Sequence, residues 1–294
     1  MNLQTGAFLW QTDTNNLSGL AGSNSPYGVW PLWQFGDPGA IANGLLFLDE
    51  GHEYSPPLFR GASEIAINIT NGQLAWSIMG FDVDGGTAIS DGIMATVNCY
   101  DNQIYAYGQG PSKTTVTAVN PVAATSTPVV ISGTVTDVSA GASQEAVAAN
   151  FPNGLPCVSD ASMTQWMEYV YEQQPRPTNA TGVPVTLTAV DPNGNTVTLG
   201  KTTSDASGFY TLTYTPTIAG NYTVIATFGG TGAYYGSYAE SSFIATNPPA
   251  TTAPTATPTA SVADTYFVPA IVGLFVLIII VLALVVILMF RKRP

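Results

Sequence analysis

The apolar positions of this chain fall into three regimes. Residues 267–290 form 24 consecutive positions without a charge, and only Pro269 and Gly273 depart from the Ala/Val/Ile/Leu/Met/Phe set. Coiled as a helix, they would span about 36 Å, enough for a hydrocarbon core of roughly 30 Å. A helix in a soluble core carries a polar stripe, whereas this segment is apolar on every side, so the pattern predicts a transmembrane helix over 266–290. Upstream, apolar and polar residues alternate with the period of half-buried strands over 129–136, 183–190, 196–202, 209–215, 222–228 and 238–245. Turn signals at Asp191-Pro192-Asn193-Gly194-Asn195, around Ser204-Asp205 and at Ala219-Gly220-Asn221 separate them at the spacing of a two-sheet sandwich. In the first 110 residues the apolar runs are shorter. Asn43-Gly44 precedes Leu45-Leu46-Phe47 and Asp91-Gly92 precedes Ile93-Met94-Ala95, each a tight hairpin turn before a strand.

One stretch breaks the β pattern. Residues 159–174 set Met163, Trp166, Met167, Val170 and Tyr171 on one helical face, with Ser162 and Gln165 at capping-box spacing and Pro175 as the stop. This predicts an amphipathic helix inserted between the first and second sandwich strands. It would pack on the sandwich or against the preceding sheets and bury Trp166. From 247 to 265 the chain has no apolar periodicity and abundant Thr and Pro, the composition of an extended stalk.

The N-terminal region contains an internal repeat. Asn2, Gly6 and Trp10 recur at the same offsets as Asn68, Gly72 and Trp76. Each set reads as a strand, a tight turn and a second strand ending in a large wedge residue. Ala66 to Trp76 resembles the quinoprotein-like (PQQ-like) β-propeller repeat, Ala-x-Asp-x-x-Thr-Gly-x-x-x-Trp, with Asn68 for the Asp and Asn71 for the Thr. Gln103-Ile104-Tyr105-Ala106-Tyr107-Gly108 looks like the start of the strand carrying a further copy. The resemblance implies a partial propeller of about two blades over 1–110. Closure needs at least four blades, so the chain is expected to continue a longer protein, which would also supply the missing signal segment.

Residues 111–246 are similar to bacterial and archaeal immunoglobulin-like surface domains. The resemblance rests on Thr202-Thr203-Ser204-Asp205-Ala206-Ser207-Gly208-Phe209-Tyr210 and on Pro216, Gly220 and Tyr222 at the spacing Pro-x-x-x-Gly-x-Tyr. It implies a β-sandwich that serves as a spacer or adhesive module. The expected fold class is therefore all-β, a partial propeller followed by a sandwich with a helical insertion, plus one C-terminal transmembrane helix. The combination resembles archaeal surface proteins.

Charge sets the orientation and narrows the partners. All 19 carboxylates but only Arg60, Lys113, Arg176 and Lys201 precede the helix, leaving net −15 there, while Arg291, Lys292 and Arg293 give the 291–294 tail +3. The positive-inside rule places that tail in the cytoplasm and everything before it outside, a single-pass plasma-membrane topology. So acidic a face excludes nucleic acid and anionic membrane surfaces as partners. An extracellular protein or carbohydrate fits better. Asn16, Asn68, Asn179 and Asn221 are N-glycosylation acceptors. Cys99 and Cys157 stand alone, and whether they pair is open.

Candidate chemistry is sparse. His52, the single histidine, lies among Asp49, Glu50 and Glu53, where its pKa could rise, but no nucleophile frame accompanies it and a structural role outweighs a catalytic one. Asp82-Val83-Asp84-Gly85-Gly86 starts like a calcium loop, yet Ile93 occupies the twelfth position, where a bidentate Glu belongs. The sequence therefore predicts no catalytic residue, metal or cofactor, and a surface-anchored binding or spacer protein. The alternative is the C-terminal part of an extracytoplasmic quinoprotein dehydrogenase whose catalytic blades lie upstream.

Overall fold

The computed structural model describes residues 2–10, 40–49, 62–81, 87–248 and 261–291. The chain is mostly β and divides into two compact units, 1–248 and 249–294. At the first predicted hairpin, Asn43 (φ 48°) and Gly44 (φ 77°) both occupy the left-handed region. That geometry matches the twist of a two-residue hairpin and folds β1 (Ile41–Ala42) onto β2 (Leu45–Asp49). With β3 (Ser63–Asn68) and β4 (Leu74–Met79) they form an antiparallel meander in the order β1-β2-β3-β4. β3 is covered on both faces, with Glu64, Ile65, Ala66 and Ile67 all buried, and Leu48 and Leu74 pack against its isoleucines. Asp91 (φ 51°) and Gly92 (φ 79°) repeat the turn between β5 (Ala88–Ser90) and β6 (Ile93–Asn98). The stretch 103–108 forms β7 (Gln103–Gly108), the last strand of this three-stranded sheet.

Two further sheets follow in the same unit. The first contains β10 (Val122–Ala124), β13 (Pro184–Val190), β14 (Thr196–Thr203), β16 (Gly220–Phe228) and β17 (Ser237–Thr246), in the order β10-β17-β16-β13-β14. The second is centred on β11 (Val129–Asp137), flanked by β12 (Leu155–Pro156) and β15 (Phe209–Tyr214), with β8 (Ser112–Thr114) and β9 (Thr117–Ala118) also paired to β11. Alternation along the strands places Val129, Ile131 and Val135 of β11 in one core with Val185, Leu187 and Ala189 of β13 and Val224 and Phe228 of β16. Tyr222 and Phe243, register partners on β16 and β17, stack at 4.8 Å between centroids. The Tyr222 hydroxyl donates to Ile218 O at 3.1 Å, tying the β16 strand to the turn that enters it.

The helical insertion differs from its expected form. The helix is α2 (Met163–Tyr171), after α1 (Glu145–Asn150), which no pattern had announced, and the insertion follows β12. The capping box does not form. Ser162 already lies in a 3-10 turn (φ −97°, ψ −6°) and makes no side-chain cap bond. Its hydroxyl instead accepts from Thr181 N at 3.1 Å, fastening the helix start to the segment leading into β13. Pro175 is not the stop either. Gln173 turns left-handed (φ 57°), and Gln174 N reaches back to Glu168 O at 3.2 Å, closing the helix end before the proline. Trp166 is fully buried, as the stripe predicted, with Val147, Leu155 and Val158.

The second unit contains α3 (Val262–Arg291), with Pro269 inside it. Residues Thr265–Arg291 are long and apolar enough to cross a membrane, and none of that segment is buried.

Candidate functional site

Both copies of the repeat close the same turn. Asn2 N donates to Ala7 O and Gly6 N to Asn2 O, each at 2.8 Å. Asn68 N donates to Gln73 O at 2.9 Å and Gly72 N to Asn68 O at 2.8 Å. In each the asparagine Oδ1 accepts from the backbone two residues on, Gln4 N at 2.9 Å and Thr70 N at 2.8 Å. Gly6 and Gly72 hold φ of 68° and 72°, which a side chain would strain. The copies also touch. The Trp10 indole lies flat on Gly72, where an added Cβ would collide with the ring, and its Nε1 donates to Ile69 O at 2.7 Å. Trp76 lies inside β4 rather than at its end, where the repeat pattern had put it, between Phe47 at 5.9 Å and Tyr107 at 6.2 Å.

The second constellation lies where α2 meets the β-meander. Thr164, Glu168 and Glu172 recur every four residues, one stripe of the helix. Thr164 Oγ1 donates to Ser77 O at 2.8 Å, and Met79 N donates to Glu168 Oε1 at 3.0 Å. From the other side the Tyr105 hydroxyl donates to Asp101 at 2.7 Å and lies 3.3 Å from Tyr171 O. Beneath them Glu64, on β3, is buried and accepts from Thr96 Oγ1 at 3.4 Å. A cavity of about 330 Å3 opens beside the joint, lined by Met79, Asn98, Tyr100, Asp101, Tyr171 and Glu172.

Its electrostatics are one-sided. Both carboxylate oxygens of Glu172 are buried without a hydrogen-bond partner. Burial, with the charges of Glu168 and Asp101, pushes its pKa up to about 8. Burial also raises Glu168, against the opposing effect of its bond from Met79 N. It raises the Tyr105 and Tyr107 hydroxyls as well, and Tyr171 to about 12. Sequence reasoning overlooked these carboxylates, although their four-residue spacing opposite the Trp166 stripe is visible in the sequence.

The remaining expected sites scatter. Asn68 is held in its turn, Asn221 is exposed within β16, and Asn179 is exposed on a loop bend. Arg291 closes α3. Asn16, His52, the 82–86 loop, Lys292 and Arg293 lie outside the described residues. Cys157 is a buried free thiol, so the bridge to Cys99 left open by the sequence is not made. Among the described residues, no group of three or more His, Cys, Asp or Glu is placed to hold a metal. A search against protein-family models matches none, and comparison with curated proteins returns no significant relative.

Proposed function

We propose that this chain is a membrane-anchored cell-surface protein that binds a protein or carbohydrate partner, or spaces such a binder from the bilayer, without catalysis of its own. The observation that carries this reading is α3, a wholly exposed helix of spanning length at the end of an otherwise β-rich chain. An apolar surface of that extent has a favourable environment only in lipid. In this reading residues 1–110 are a partial PQQ-like propeller, 111–246 an immunoglobulin-like sandwich and 247–265 a stalk. The helix spans 266–290 and the tail from Arg291 lies in the cytoplasm.

Two details support the domain assignments. The docking of Trp10 on the Gly72 turn suits successive blades laid side by side, since it joins one repeat to the next through its wedge residue. The bond from Tyr222 back to Ile218 suits a sandwich of the immunoglobulin type, where a tyrosine braces the corner before its strand. The contacts of α2 with both parts suit a spacer: Thr164 and Glu168 bond to β4, and Met163 and Met167 pack on the sandwich core.

The test is topological and chemical. Protease added to intact cells should remove the chain before Tyr266, and full protection would overturn the orientation. Purified full-length protein should oxidise no alcohol or sugar with added quinone and calcium. Turnover would replace the binding reading with the dehydrogenase.

A further inference from the structure

The joint between α2 and the preceding sheets contains a carboxyl group with nothing to hold its charge. Glu172 sits at the C-terminal end of α2, and both of its oxygens are buried and unpartnered. The ionisable groups that act on it add no compensation. Glu168 is one turn before it on the same helix, Asp101 faces it from the β6–β7 turn, and the Tyr105 and Tyr107 hydroxyls face it from β7. Glu64 of β3 acts on the same Tyr107 hydroxyl. Every one of these is acidic. A carboxylate there would be desolvated beside the like charges of Glu168 and Asp101, whereas the protonated acid is neutral. Two further bonds across the joint, from Thr164 and Met79, would remain in either state.

We propose that the α2 joint is a proton-dependent latch, closed while Glu172 is protonated and loosened when it ionises. The folded joint raises the pKa of Glu172 above the ordinary 4.5, to about 8. The closed form therefore binds the proton more tightly than the open form. Closure is strongest below pH 4.5, weakens as pH rises between 4.5 and 8, and reaches its floor above 8. In that window a single linked proton changes the opening constant by up to about tenfold per pH unit. Because Glu172 is only partly enclosed, screening reduces this to about tenfold in all between pH 6 and 9.

Hydrogen exchange on the full chain in detergent micelles reads the latch directly. After correction for the intrinsic pH dependence of exchange, amides of residues 77–80 and 165–174 should exchange about tenfold faster at pH 9 than at pH 6. Those of β13 and β16 should be unchanged. Glu172→Gln should abolish the difference and stay protected at both pH values. Equal corrected rates at the two pH values in the parent protein would overturn the proposal, as would an unaltered pH response in Glu172→Gln. If Glu172→Gln fails to fold, Glu168→Gln decides. It keeps an acceptor for Met79 N but removes the neighbouring charge, so the midpoint of opening should move to lower pH, and an unmoved midpoint would overturn the latch.

Discussion

Replacing Trp166 by alanine removes the largest side chain buried in the helical insertion. The indole is fully enclosed, with Phe151 at 5.9 Å and Tyr169 at 5.7 Å between ring centroids and the Arg176 guanidinium 5.9 Å from its own. Truncating a buried tryptophan costs about 3–5 kcal/mol, and each aromatic pair contributes about 0.5–1.5 kcal/mol beyond its area. One effect opposes these. The indole Nε1–H is buried without a partner, a burden of about 1–3 kcal/mol that truncation relieves. The net expectation for Trp166→Ala is a loss of about 3 kcal/mol. In a domain of about 250 residues that lowers Tm by about 6–12 °C. Trp166→Phe keeps an aromatic ring and discards the unpaired N–H, so it should cost no more than about 1 kcal/mol. Thermal unfolding of the full chain in micelles, followed by near-UV circular dichroism, distinguishes the two. An alanine variant melting within 2 °C of the parent would refute the assignment of Trp166 to the core. A phenylalanine variant as unstable as the alanine one would refute the claim that the indole N–H lacks a partner.

Two further perturbations test the repeat contact and the buried thiol. Gly6 and Gly72 share the same left-handed backbone, but an added methyl at Gly6 meets nothing whereas at Gly72 it meets the Trp10 ring. Gly6→Ala should therefore cost about 1 kcal/mol, and Gly72→Ala at least about 1 kcal/mol more in urea unfolding. Equal costs would mean that the Trp10 stack contributes nothing. Cys157 is fully buried, and burial, reinforced by Asp137, raises its thiol pKa. Iodoacetamide at pH 8 should leave it unmodified until denaturant is added, as read by mass spectrometry of the peptide.

What the sequence revealed and what it hid follow from the range of the interactions involved. Asn43-Gly44 and Asp91-Gly92 were legible because a two-residue hairpin depends on the backbone freedom of its own residues. Strands 183–190 and 222–228 were legible because burial on one face imposes a period of two. The end of α2 was misplaced because Gln173, an uncommon residue for a left-handed cap, closes the helix before Pro175 can act. Ser162 failed as a cap for a non-local reason, since Thr181 claims its hydroxyl from 19 residues away. The acidic joint was hidden for the same reason: Glu168 and Glu172 share a helix face in any reading, but only the fold brings Asp101 and Glu64 to that region.

The pairing of β10 with β17 bears on how the molecule carries mechanical load. β17 is the strand from which the chain continues toward α3. It is held on one side by nine register pairs with β16 and on the other by three with β10, which runs parallel to it. Because β10 and β17 are parallel, the chain enters β10 at the end opposite to that from which it leaves β17. Tension applied between α3 and the N-terminal half would draw these neighbours past each other along their length. Hydrogen bonds crossing such a pull are strained together and cannot be unzipped one at a time. The last strand before α3 is thus seated to resist extraction under force.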